Sequence, residues 1–198
     1  MTGVLTSGGN DLADRLSASV RATVLPVITE AELDGVRQYQ AEDRFYEVVN
    51  GVLRGDLSLG ALDVDLGSRV VATVRAMDLL LERWRLPEPV RTYRGVRDLA
   101  LTFGATPRPG ERRVLAGYMS SSLHRPVALD QFTRPTTAVA ALLTLDVPAG
   151  VPAIWVPPLG APALADQAEL VLGPSITLVV HELDDRRGTL ELTCEVIP

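Results

Sequence analysis

The sequence predicts an α+β domain in which N-terminal helices are followed by a largely antiparallel or mixed sheet. Helical periodicity dominates up to Leu86, while short β-forming runs separated by Gly and Pro fill the remainder. The two kinds of segment are segregated, which argues against repeated βαβ units. With 198 residues, 46% apolar and 22% charged, the chain has enough apolar material for one packed core.

Residues 1–9 read as a flexible lead. Leu12, Leu16, Val20 and Val24 recur at four-residue spacing and mark one face of a short helix over Asp11 to Val24, stopped near Pro26. Thr29 with Glu32 forms a capping box that opens a helical region running to Arg54, which Gly55 closes. Leu66, Val70, Val74, Met77, Leu80, Leu81 and Trp84 define a long helix from Val64 to Leu86, with Pro87 and Pro89 behind it. Strands are expected at Val90 to Val96, Val114 to Leu123, Ala138 to Leu145, Gln167 to Leu172, Ile176 to Leu183 and Thr189 to Ile197. Asp184 to Gly188 reads as the turn of a terminal hairpin.

Composition excludes several classes of function. A net charge of -6 disfavours a general grip on nucleic acid or an anionic membrane. The one cysteine, Cys194, allows no intrachain disulfide, and with only His124 and His181 there is no spaced zinc cluster and no nucleophilic triad. No metal is therefore expected. The N-terminus lacks a basic, then apolar signal segment, and the run Ala138 to Leu145 is too short to span a bilayer, which predicts a soluble form. All 19 basic residues are arginine. Codon bias explains that, as does life in a foreign cell where ubiquitin marks lysines.

Three segments of the strand half stand out together: Thr92-Tyr93-Arg94-Gly95, Tyr118-Met119-Ser120-Ser121-Ser122, and Gln167-Ala168-Glu169. Further back lie Tyr39, Tyr46 and Asn50-Gly51-Val52-Leu53-Arg54, and further on Phe132-Thr133-Arg134-Pro135 and Ile176 to His181. In this order the segments resemble the signature of the Arg-Ser-Glu class of mono-ADP-ribosyltransferases, in its bacterial exoenzyme and toxin branch with a Gln-x-Glu motif. The resemblance covers residues 28–198 as a catalytic domain and implies N-terminal helices packed on a two-sheet, mixed or antiparallel β core. It leaves 1–27 as a lead and amphipathic helix, read as a docking segment for a delivery or precursor partner.

The resemblance implies NAD as substrate and assigns roles. Glu169 would be the catalytic carboxylate, accepting a hydrogen bond from the nicotinamide-ribose 2′-hydroxyl and steadying the positive charge that builds on the ribose as nicotinamide leaves. Ser120 would orient Glu169. Gln167, two residues earlier on an extended segment, would face the same ribose and meet the acceptor. Arg94 would hold the phosphate side of NAD and brace the cleft, Arg54 and Arg134 would clamp the pyrophosphate, and Phe132 would pack near nicotinamide. Asn50, Tyr46, Gly95 and Ser122 complete the expected NAD-binding set.

Three positions bear on how closely the family pattern is followed and on the acceptor. Ser121 replaces the usual Thr, a small change, and Gln167 resembles the members that modify an asparagine of small GTPases or a guanine base rather than arginine. Leu164, Ala165 and Asp166 stand where an aromatic commonly precedes the Gln, and Trp155 is read either as a stacking residue or as core. A macromolecular acceptor, protein ahead of DNA, is expected. The alternatives are an NAD glycohydrolase, a DNA-guanine ADP-ribosyltransferase and a non-catalytic NAD-binding interaction module. Without a signal peptide, the expected route is secretion or injection by another device, or release from a larger toxin, with action in the cytosol of a target cell.

Overall fold

The computed structural model describes residues 7–41, 43–99, 103, 106–132, 140–186 and 189–198. Among these, five α-helices precede or interrupt eight strands: α1 Ser7–Thr23, α2 Glu30–Tyr39, α3 Phe45–Arg54, α4 Val64–Arg83 and α5 Arg125–Phe132. The strands are β1 Val90–Val96, β2 Arg112–Val114, β3 Met119–Ser122, β4 Ala141–Val147, β5 Ala153–Trp155, β6 Glu169–Leu172, β7 Thr177–Arg186 and β8 Thr189–Ile197.

The helices follow the apolar periodicity and the caps. Leu16, Val20 and Val24 are buried and Leu12 packs beside them, so the apolar face of α1 is occupied by the core of the same domain. That face is not free to dock a partner, a correction to the reading of residues 1–27. The Trp155 indole N–H donates to Ser17 Oγ at 2.9 Å and that of Trp84 to Ser19 Oγ at 3.2 Å, fixing α1 further. Trp155 is thus a core residue and not a stacking platform.

The capping box at α2 is complete in both directions. The single helical region expected from Thr29 to Arg54 is instead two helices. Gln40 ends α2, Arg44 sits in the left-handed region at φ 61°, and Asp43 Oδ1 accepts from Phe45 N at 3.0 Å to start α3. Gly55, at φ 79°, closes α3 in a conformation that favours glycine. Asp63 caps α4, whose last turn stops at Arg83 because Trp84 turns extended and Leu86 N donates to Val151 O.

All eight strands form one hydrogen-bonded sheet in the order β2-β7-β8-β4-β1-β3-β6-β5, antiparallel except for the β4–β8 pair. The two expected sheets survive as wings, because β1 and β3 share only the pair Tyr93↔Ser122, whereas β1 and β4 share seven pairs. The centre of the wider wing is apolar: Leu143, Leu145, Val180, Leu178, Leu192 and Cys194 are fully or almost fully buried.

Several expected strands shift. The run Val114 to Leu123 divides into β2, paired with β7 at one edge, and β3 in the middle, because the Asn50 amide oxygen captures Tyr118 N at 2.8 Å between them. Gln167 is not extended: it closes a 3-10 turn, Pro162–Gln167, and Ala168 follows in the left-handed region at φ 47° before β6 begins at Glu169. β5 and α5 are additional to the sequence reading, and the turn proposed at Asp184 to Gly188 includes residues 187–188, outside the described ones. Among the described residues no helix is long and apolar enough to cross a membrane.

Candidate active site

The seam between the wings is a recess lined by Tyr93, Arg94, Gly95, Ser120, Ser121, Ser122, Val127, Gln167 and Glu169. In a regular sheet, consecutive residues of one strand face opposite ways. Here three consecutive residues of β1 and three of β3 border one space, because past Tyr93↔Ser122 the two backbones part. Arg94 fills the gap: its Nη1 donates to Ser120 O at 2.5 Å, taking the carbonyl that a continued ladder would have paired. Ser122 Oγ ties β3 to the next turn, donating to Gln167 O at 2.6 Å and accepting from His124 N at 2.9 Å. Ser121 Oγ donates to Leu170 O at 3.2 Å.

Glu169 opens β6 beside this gap. Burial raises its carboxyl above the ordinary carboxylate range, against the opposing pull of the Ser120 hydroxyl, the Gln40 amide and the Arg94 charge. Arg94 is itself lowered, first by burial and further by the charge of Arg54, while Tyr39, Tyr46 and Glu169 oppose the shift. An arginine so lowered still carries its proton at neutral pH. The recess therefore pairs a permanent cation with a carboxylate whose ionised form is under-compensated.

The helical layer closes the site from the other side. Tyr39 is buried and its phenol pushed up to about 12 by desolvation, with the Asn50 amide donating to its oxygen at 2.9 Å. Tyr46 and Tyr118 both meet the Tyr39 ring edge-on, with centroids 6.3 and 5.6 Å away. Tyr118 donates to Asp78 Oδ1 at 2.6 Å, anchoring the start of β3 on α4. Gln40, next in sequence to Tyr39, donates from Nε2 to Glu169 Oε2 at 3.1 Å.

The structure thus brings Arg94, Gly95, Ser120, Ser122, Gln167 and Glu169 to one recess. Asn50 and Ser122 have their polar side-chain atoms committed to protein partners and act here as ties. Arg54 lies outside the recess in an ion pair with Asp56 at 2.7 Å, near enough for its charge to act on Arg94. Tyr46 is half-buried, its hydroxyl donating to Glu47 at 3.2 Å. Phe132 ends α5, but its side chain, like Arg134, lies outside the described residues. The sequence reading did not include Gln40, a polar helix-ending residue 129 positions from its partner, for which nothing local gives a signal. No cluster of three or more His, Cys, Asp or Glu able to hold a metal occurs among the described residues. Cys194 is buried, which pushes its thiol up to about 12.

Residues 9–195 match the sequence profile of the ADP-ribosyltransferase exoenzyme family. No curated protein matches the chain in sequence. Among solved structures, the chain resembles Vis, an ADP-ribosyltransferase from Vibrio splendidus solved in complex with agmatine, at 17% identity over 100% of this chain and 88% of that one, with a TM-score of 0.71. It resembles an ADP-ribosyltransferase from Clostridium botulinum at 16% identity over 100% and 98% of the two chains, TM-score 0.70. The C3 exoenzyme of Clostridium limosum is similar at 18% identity over 95% of this chain and 94% of that one, with a TM-score of 0.71.

Proposed function

The chain belongs to the ADP-ribosyltransferase exoenzyme family, and from that premise we propose that it transfers ADP-ribose from NAD to an amide side chain, Asn or Gln, of a target protein. The family reaction breaks the bond between the ribose anomeric carbon and the nicotinamide nitrogen. Nicotinamide leaves with the bonding electron pair, the ribose becomes cationic, and an acceptor nitrogen then bonds to that carbon and loses a proton. The observation that carries the reading is the convergence of Arg94, Ser120, Gln167 and Glu169 on one recess.

Each residue has a physical task in this scheme. Glu169 ionised stabilises the ribose cation and accepts from the 2′-hydroxyl. Arg94 braces the seam through Ser120 O and adds positive charge toward the NAD phosphates. Gln167 offers the acceptor both an amide donor and an amide acceptor, which match another amide and leave a guanidinium cation without a counter-charge. That is why the amide acceptor is preferred here to a guanidino acceptor, although agmatine, which the Vis complex contains, is a guanidino compound. The −6 net charge supports a protein acceptor over DNA. We place the action in the cytosol of a target cell.

The test combines two variants and one label. Glu169→Ala should abolish nicotinamide release and transfer together, whereas Gln167→Ala should lower transfer far more than hydrolysis. Tagged NAD added to a cell lysate, followed by mass spectrometry, should mark Asn or Gln of a discrete protein. Label on arginine or guanine, or free ADP-ribose as the sole product, would reject the acceptor assignment.

A further inference from the structure

Gln40 lies where the helical layer meets the seam and uses both ends of its amide. Nε2 donates to Glu169 Oε2 at 3.1 Å, and Oε1 accepts from Ala161 N at 3.0 Å, at the start of the turn that carries Gln167. The two ends cannot be exchanged, because an ionised carboxylate only accepts and a backbone N–H only donates. An uncharged side chain of this reach that supplies one donor and one acceptor is glutamine. The backbone is shaped to receive it: a Cβ on Gly160 would overlap Gln40 Oε1 and come within 2.7 Å of Val156 Cγ1.

We propose that Gln40 is a positioning residue for Glu169, fixing the plane of the carboxylate by holding Oε2 and linking it to the turn bearing Gln167. This rests on the reading of Glu169 as the catalytic carboxylate. Holding one oxygen leaves the other to meet the ribose hydroxyl, and it ties the carboxylate that stabilises the cation to the segment that presents the acceptor. A carboxylate free to rotate would spend part of its time out of alignment with the ribose, which slows the chemical step and leaves NAD affinity nearly unchanged.

The experiment measures nicotinamide release across pH, with NAD affinity by calorimetry, for the wild type, Gln40→Met and Gln40→Glu. Methionine keeps the length of the side chain and removes the amide. Gln40→Met should lower kcat about 10- to 100-fold while the NAD dissociation constant stays within about twofold. Gln40→Glu puts two carboxyls in contact, so the working form is the one in which they share a proton. Its rate should fall as pH rises above neutrality, a limb that the wild type lacks and that a merely structural role would not create.

Gly160→Ala displaces the amide while keeping its chemistry. It should lower kcat by a larger factor in the wild type than in the Gln40→Met background, where only the Val156 contact is disturbed, an outcome readable even if Gln40→Glu fails to fold. Wild-type kcat in Gln40→Met, a Gln40→Glu profile that superimposes on the wild type, or additive effects of Gly160→Ala and Gln40→Met each overturn this inference alone. A wild-type protein that releases no nicotinamide overturns it together with the function from which it proceeds.

Discussion

Glu32 and Glu169 are both drawn away from water, and the protein treats them in opposite ways. Glu32, on α2, receives Arg83 Nη2 at 2.9 Å and Nη1 at 3.2 Å, Thr29 N at 2.7 Å and Thr29 Oγ1 at 3.0 Å. Burial pushes its pKa up, but the Arg83 and Thr29 hydrogen bonds outweigh that and hold it below the ordinary carboxylate range. Glu169 has the Gln40 amide, the Ser120 hydroxyl and a guanidinium directed mainly at Ser120 O, and burial wins. A carboxylate that serves the fold is completed by the fold. The one at the seam is left incomplete, so a cation generated beside it is strongly favoured.

Four measurements sharpen or break this contrast. The largest effect is expected on chemistry: Glu169→Gln should slow nicotinamide release about 10³-fold, roughly 4 kcal/mol of transition-state stabilisation. A loss under tenfold would remove Glu169 from its role. Next, Glu32→Ala strands the Arg83 charge and should cost about 3 kcal/mol in urea unfolding, with kcat of the folded fraction unchanged. Thr29→Ala removes the cap and the hydroxyl's bond to Glu32 but leaves the Arg83 pair, and should cost about 1 kcal/mol by the same assay.

The smallest effect carries the sign of the contrast. Because its folded pKa is raised, Glu169 contributes stability below the ordinary carboxylate range and loses it as pH rises through the raised value. Glu169→Gln should therefore unfold later than the wild type at neutral pH, and the gain should vanish in acid. Glu32 behaves in reverse: its contribution is full above the ordinary range and is lost as pH falls through the lowered value. Thermal melts of Glu169→Gln and Glu32→Gln across pH should diverge from the wild type in opposite directions.

Periodicity was enough to find β1 and β8 to the residue, since each keeps an unbroken ladder with β4. The capping box at Thr29 was equally legible, being a contact three residues long. What local pattern missed depends on distant partners. The division of helix α2 from α3 and the end of the Val114 to Leu123 run are made by side chains such as Asp43 and Asn50 that bind backbone N–H groups elsewhere. Alternation also suggested that Gln167 and Glu169 share a strand face. They meet the same recess for another reason, the left-handed turn at Ala168 between them. The motif residues Arg94, Ser120 and Glu169 were readable because their order in the chain resembles the family signature. Gln40 was not, because its meaning exists only once α2 reaches the seam.

The chain has two tryptophans, and both indoles lean on hydroxyls of the first helix. Intrinsic fluorescence is therefore an optical gauge of how firmly that helix is seated, and peeling it away would expose both emitters before the sheet comes apart. A red shift that precedes loss of the far-ultraviolet strand signal would time that first opening.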